Sequence, residues 1–177
     1  DALVRFKLRG AGGDDAIKLG SDLSLGVVAS SENITVRNCL LVAGCNALQF
    51  GSETIGAFRN ICFENIRILA AGKAGISITS NDGSVIEDLV CRDITMQQTF
   101  APFFIKLSDV ARVPSGDCRR GAIRNLRFEN ISATDGYSAI RHAEVPSVIW
   151  GKPGTPIEDI EFRNVHVVVR GGHPAAE

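Results

Sequence analysis

Apolar and polar positions alternate along this chain in one recurring seven-residue phrase. It reads Asn or Asp, aliphatic, any, apolar, any, Asn or Asp, aliphatic. It occurs as Asn33–Cys39, Asn60–Ile66, Asp88–Ile94, Asn125–Ile131 and Asp159–Val165. Apolar residues at the second and fourth positions, with polar ones between, give a period of two, the mark of a strand with one buried face. Successive phrases begin 27, 28, 37 and 34 residues apart, which is solenoid spacing, and the two longer intervals are expected to carry loop insertions. A second short strand follows the phrase at Ala47–Phe50 and Gly75–Ile78, with Ala16–Leu19 matching it one repeat earlier.

No helical periodicity persists for three turns, which disfavours repeats that alternate strand and helix, and the spacing of leucine-rich repeats is missing. The pattern predicts an all-β solenoid: a single-stranded right-handed parallel β-helix of about six coils, in one domain spanning residues 1–177. Asp1 to Arg9 fit the phrase poorly, although Val4 and Phe6 alternate correctly. That misfit predicts a fragment truncated at its N-terminus, less stable than the whole protein and prone to association through an open coil.

The polar columns follow from stacking. Asn at equivalent corners of successive coils forms side-chain ladders and tolerates the left-handed backbone a sharp corner requires. Asp88, Asp93 and Asp159 occupy these columns, so they are expected to be structural. The glycosylation-like triplets at Asn33 and Asn130 lie in the same columns and carry no separate meaning.

Composition narrows the function. Apolar residues make up 45% of the 177, enough for a sizeable core. The 19 basic and 20 acidic residues nearly balance, so nothing draws the chain generally to nucleic acid or an anionic membrane. No apolar run approaches the ~20 residues that span a bilayer. Cys39, Cys45, Cys62, Cys91 and Cys118 form no CxxC pair and read as mostly buried small hydrophobes, and His142, His166 and His173 lack metal spacing. Neither a metal nor another cofactor is expected.

One segment breaks the column rule. In Gly12–Ser21 two adjacent carboxylates, Asp14 and Asp15, precede a second-type strand. On a regular strand one of them would enter the core at a cost of several kcal/mol, whereas a bend at the preceding glycines lets both face solvent or a cleft. Aligned by the second strand, Asp15 falls beside Asn46 and Ala74, Asp14 beside Cys45 and Lys73, and Lys18 beside Gln49 and Ser77. Lys18, Asn46, Gln49 and Lys73 are therefore candidate ligand contacts on the same surface as the Asp pair.

From about Gly13 to Gly172 the chain resembles the polygalacturonases of glycoside hydrolase family 28, within the pectin-lyase-like β-helices. The resemblance rests on the order of Gly13–Ile17, Ser31–Cys39, Gly44–Glu53 and Gly151–Ile160. It implies a secreted or periplasmic carbohydrate-active enzyme that hydrolyses an acidic, pectin-like polysaccharide or oligosaccharide with inversion, acts without nucleic acid or membrane partners, and is a monomer at full length. One Asp of the pair would be the general acid; the other, with an Asp from the preceding coil, would activate water. Adjacent carboxyl groups do not readily ionise together, so one can hold the proton for the leaving oxygen. Inversion also needs acid and base about 6.5–9.5 Å apart.

The chain departs from that family at Asn46, where the family has histidine, and at Ser77-Ile78-Thr79, where it has Arg-Ile-Lys; the upstream Asn-Thr-Asp phrase has no match. A β-helix that binds polysaccharide without cleaving it, or a lyase or epimerase on the same scaffold, is the alternative, and a structural spike the third. Arg119 and Arg120, in the insertion Ser108–Gly121, are candidates to replace the missing cations. Glu53 reads as a turn residue or a distal acid, and Trp150, in a loop, as a seal on the stack or a platform for a sugar ring.

Overall fold

The computed structural model describes residues 13–134, 136 and 145–168, and the backbone of 2–4. Its strands are β1 (Ala2–Val4), β2 (Ile17–Ser21), β3 (Ser31–Ala43), β4 (Leu48–Thr54), β5 (Phe58–Ser80), β6 (Val85–Met96), β7 (Thr99–Leu107), β8 (Ala122–Ala133), β9 (Val148–Trp150) and β10 (Glu158–Val167). A single 3₁₀ turn, Cys118–Arg120, is the only helical element among the described residues, and no helix is long and apolar enough to cross a membrane. The protein is all-β.

Every strand pairs in parallel with the strand one repeat away. One row runs β1-β3-β5-β6-β8-β10; the other runs β2-β4-β5-β7-β9, and the long β5 belongs to both. Register superposes like on like. Ile34, Ile61, Leu89, Leu126 and Ile160 form one column, and Val36, Phe63, Cys91, Phe128 and Phe162 another. Phe50 of β4 packs edge-on against Phe58 and Phe63 of β5, at 5.5 and 6.0 Å between centroids, and Phe103 of β7 meets Phe128 of β8 at 5.3 Å. The inner faces of the two rows therefore close on one core, whose columns of Ile, Leu and Phe are nearly all excluded from solvent.

Asn and Asp recur at the first and sixth positions of the phrase for a backbone reason. All ten such residues, from Asn33 to Asn164, have φ between 51° and 59°, a left-handed conformation that Asn and Asp tolerate better than other side chains. Their amides form ladders across repeats: Asn60 Nδ2 donates to Asn33 Oδ1 at 2.7 Å, Asn65 to Asn38 at 2.7 Å, Asn130 to Asp93 at 3.0 Å and Asn164 to Asn130 at 2.9 Å. Asp88 and Asp93 thus serve as acceptors within the ladders.

The outward face of the same row carries charge in alternating columns. Glu32, Arg59, Glu87, Arg124 and Glu158 stand opposite one another, as do Arg37, Glu64, Arg92, Glu129 and Arg163. Arg59 bridges Glu32 at 2.9 Å and Glu87 at 2.6 Å, and Arg124 reaches Glu87 at 2.6 Å. Each exposed pair contributes little alone, but a slip of one repeat by one residue would break a whole column at once.

Ala2 pairs with Ile34 and Val4 with Val36, so residues 2–4 take the register of the phrase; Phe6 and Arg9 lie outside the described residues, as do His142 and His173. Cys39, Cys45 and Cys91 are buried as expected, Cys62 and Cys118 half-buried, and no disulfide joins them. His166 is on the surface.

Candidate functional site

The bend at the start of β2 turns both carboxylates away from the core. Asp14 is exposed and Asp15 half-buried, while Ile17 begins the buried face. The stacking neighbours are those the alignment of second strands gives. Asp15 Oδ1 accepts from the backbone N–H of Asn46 and from its Nδ2, both at 2.9 Å. Cys45 N donates to the carbonyl of Asp14, and Lys73 N to that of Cys45. Lys18 pairs with Gln49, and Gln49 with Ser77.

An oxygen from each Asp and the Cys45 sulfur lie within 4.8 Å of one another. Asn46 directs two N–H donors into this cluster, which suits a carboxylate and opposes a cation. Burial, with the negative charge of Asp15 as a smaller cause, pushes the Cys45 thiol up to about 11. Cys45 is therefore held in its thiol form near neutral pH.

Beside the cluster is a groove of about 180 Å³ lined by polar residues of β4, β5 and β7 and closed on one side by the insertion after β7. Gln49, Ser77, Thr79 and Asn81 give it hydroxyl and amide groups, and Lys73, Lys106 and Arg112 give it three cations. No acidic residue lines it, and none of the three cations is ion-paired among the described residues. Elsewhere most cations are: Lys18 to Glu53 at 3.1 Å, Arg92 to Glu64 at 2.7 Å, Arg119 to Asp117 at 2.9 Å. Lys73 Nζ sits 5.5 Å from the centre of the Phe104 ring and Lys106 Nζ 4.4 Å from that of Trp150. Two buried acceptors, Asn46 Oδ1 beside the Asp pair and Gln49 Oε1 in the groove, have no hydrogen-bond partner, and each is available to a donor from a ligand.

Asp82 holds the insertion in place. Its carboxylate is 2% exposed and accepts backbone N–H groups from Thr54 at 2.7 Å, from Val113 at 2.6 Å and from Arg112, while its carbonyl accepts from Asp117. Close packing requires glycine around this contact: Gly83 has φ of 90°, and a Cβ there would stand 2.2 Å from the Asp117 carbonyl oxygen.

Asn46, Gln49 and Lys73 therefore gather near Asp14 and Asp15, whereas three other expected contacts are engaged elsewhere. Lys18 faces Glu53, which makes Glu53 an ion-pair partner at the end of β4 rather than a bare turn residue. Arg119 and Arg120 both turn back on Asp117. Trp150 does not seal the stack: it is 51% exposed and lies under the Lys106 ammonium. Lys106, Arg112 and Asp82 escaped the sequence reading. Lys106 alternates with inward-facing apolar residues of β7 and was detectable as an outward cation; Arg112 and Asp82 sit in non-repeating segments with no such signal.

A parallel all-β protein with an outward carboxylate pair just before β2 and a cation-lined groove on the β4, β5 and β7 strands of the same row is the class that fold and site define together. No protein-family model matches the chain, and no curated protein matches it.

Proposed function

We propose that the chain is a right-handed parallel β-helix that binds an acidic glycan along the β2-β4-β5-β7 face and hydrolyses its glycosidic bonds with Asp14 and Asp15. The observation that carries this reading is an outward-facing carboxylate pair on the same strand row as a groove whose three cations have no ion-pair partner among the described residues. The parallel pairing at repeat spacing and the facing inner columns support the β-helix. Asp15, fixed by two donors from Asn46, is suited to orient water, and the exposed Asp14 to hand a proton to the leaving oxygen. An extracellular or periplasmic setting, where such polysaccharides occur, belongs to the same proposal.

One observation favours a second reading, a β-helix that binds the glycan without cutting it. The Asp14 and Asp15 oxygens approach within 4.8 Å, short of the about 6.5–9.5 Å that inversion needs between acid and base. Cleavage with inversion therefore calls for a third carboxylate across the bond from the pair.

The test is incubation with pectic and other acidic polysaccharides, scoring new reducing ends and unsaturated products, with Asp14→Asn and Asp15→Asn in parallel. Reducing ends without unsaturation, lost in both variants, support the hydrolase. Unsaturated products indicate a lyase, and binding without any product supports the second reading.

A further inference from the structure

We infer that Gln49 is a specificity-determining residue of this face. Its side-chain oxygen takes a hydrogen bond from an uncharged hydroxyl of the ligand, so the sugar unit that meets Gln49 is read through a donor and not through its acidic group. The inference rests on the reading that this face holds a glycan, but not on cleavage.

The network around Gln49 fixes which of its atoms is left over. Gln49 is 5% exposed and lines the groove. Its Nε2 donates to the Phe50 carbonyl at 2.8 Å, and Thr79 Oγ1 donates to the same oxygen at 2.9 Å. Asn81, also in the groove, donates from Nδ2 to the Ser52 carbonyl at 2.6 Å. Turning the Gln49 amide over would set Oε1 against the Phe50 oxygen, acceptor facing acceptor, so the amide keeps one orientation. In that orientation Oε1 is buried, and no donor among the described residues reaches it. Asn46 has the same polarity: its Nδ2 donates to Asp15 Oδ1 at 2.9 Å and to Cys45 Sγ at 3.3 Å, and its Oδ1 is left unmet. A buried acceptor without a donor costs free energy that a donor on the ligand recovers.

The donor's chemistry follows from what else lines the groove. A carboxylate or ester sulfate carries acceptors only and would meet the Gln49 oxygen lone pair to lone pair. An ammonium group donates, but Lys73, Lys106 and Arg112 line the same groove and repel it. A hydroxyl donates to Gln49 Oε1 and accepts from those cations at once, which an N–H group cannot do.

Gln49→Met keeps the length of the side chain and removes both its donor and its acceptor. Galacturonate, glucuronate and sulfated galactose tetramers are titrated calorimetrically into the parent protein. The tightest binder is then compared with its O-methyl ether, which keeps the acidic groups and the ring oxygens but loses the hydroxyl donors. The parent is expected to bind the ether about tenfold or more weakly than the free oligomer. In Gln49→Met that preference should fall about threefold or more, a coupling between side chain and hydroxyl that a packing role would not produce. The thermal midpoint of unliganded Gln49→Met should match the parent's, because the lost Nε2 bond is offset by removal of an unmet acceptor. A second readout needs no substitution: the Gln49 Cδ resonance of the parent should shift on binding the free oligomer and stay in place with the ether. Equal affinity for oligomer and ether, an undiminished preference in Gln49→Met, or a stationary Cδ resonance would each overturn the inference and leave the glycan reading intact. No binding by any of the three tetramers would defeat the glycan reading and the inference with it.

Discussion

Removing the Asp82 carboxylate should release the insertion that carries Arg112 and leave the β-stack standing. In Asp82→Ala three backbone N–H groups lose their acceptor: Thr54, wholly buried, Val113, 6% exposed, and Arg112, at the surface. A hydrogen bond to a charged group contributes about 1.5–3 kcal/mol, so a simple sum gives roughly 4.5–9 kcal/mol. That sum is an upper bound. Arg112 regains water as the insertion lifts, and Val113 follows it, leaving the Thr54 N–H as the donor most firmly held in the interior. The expected loss is therefore about 2–5 kcal/mol. Asp82→Asn keeps an oxygen for the insertion but turns an amide NH₂ toward the Thr54 N–H, for an expected loss of about 1–3 kcal/mol. Urea unfolding reads the stability, and hydrogen exchange at residues 109–117 reads the release, which should appear at denaturant concentrations where β5 and β6 remain protected. A loss under about 1 kcal/mol in Asp82→Ala, with exchange in the insertion unchanged, would refute the anchoring role.

Three further outcomes follow from the columns. Asn65→Ala should lose about 1–2 kcal/mol, since alanine is strained at φ of 51° and cannot donate to Asn38, whereas Asn65→Gly should lose less; comparing the two urea midpoints separates backbone from ladder. Asp88→Asn should raise the thermal midpoint, because Asp88 accepts from Asn125 but has no amide to donate toward Asn60, and a midpoint that falls would contradict the ladder account. Hydrogen bonds from Arg59 and then Arg124 hold the Glu87 carboxyl below its ordinary value of 4.5. Its contribution is therefore present above about pH 4.5 and fades as pH falls through the lowered value; Glu87→Gln should flatten that part of the acid limb and leave the neutral region's slope unchanged.

The stacking neighbours were legible because a repeat turns sequence offset into spatial adjacency. Once Ile17, Leu48 and Ile76 are aligned as inward positions, Asp15 must fall near Asn46 and Lys18 near Gln49, and the hydrogen bonds and register place them there. The same arithmetic places Asn33, Asn60 and Asp88 in one column.

The sequence by itself determined the strand period, the repeat length, the corner residues and the outward carboxylate pair, all of which arise from local backbone preference and from burial of one face. Only the tertiary structure decided which cations are free. Lys18 and Arg119 are drawn to Glu53 and Asp117, whereas Lys73, Lys106 and Arg112 converge on one groove. That choice depends on where the non-repeating insertion docks, and the docking depends on a single buried carboxylate, Asp82, meeting backbone groups some thirty residues away. Periodicity carries no information about such a contact, because neither partner repeats.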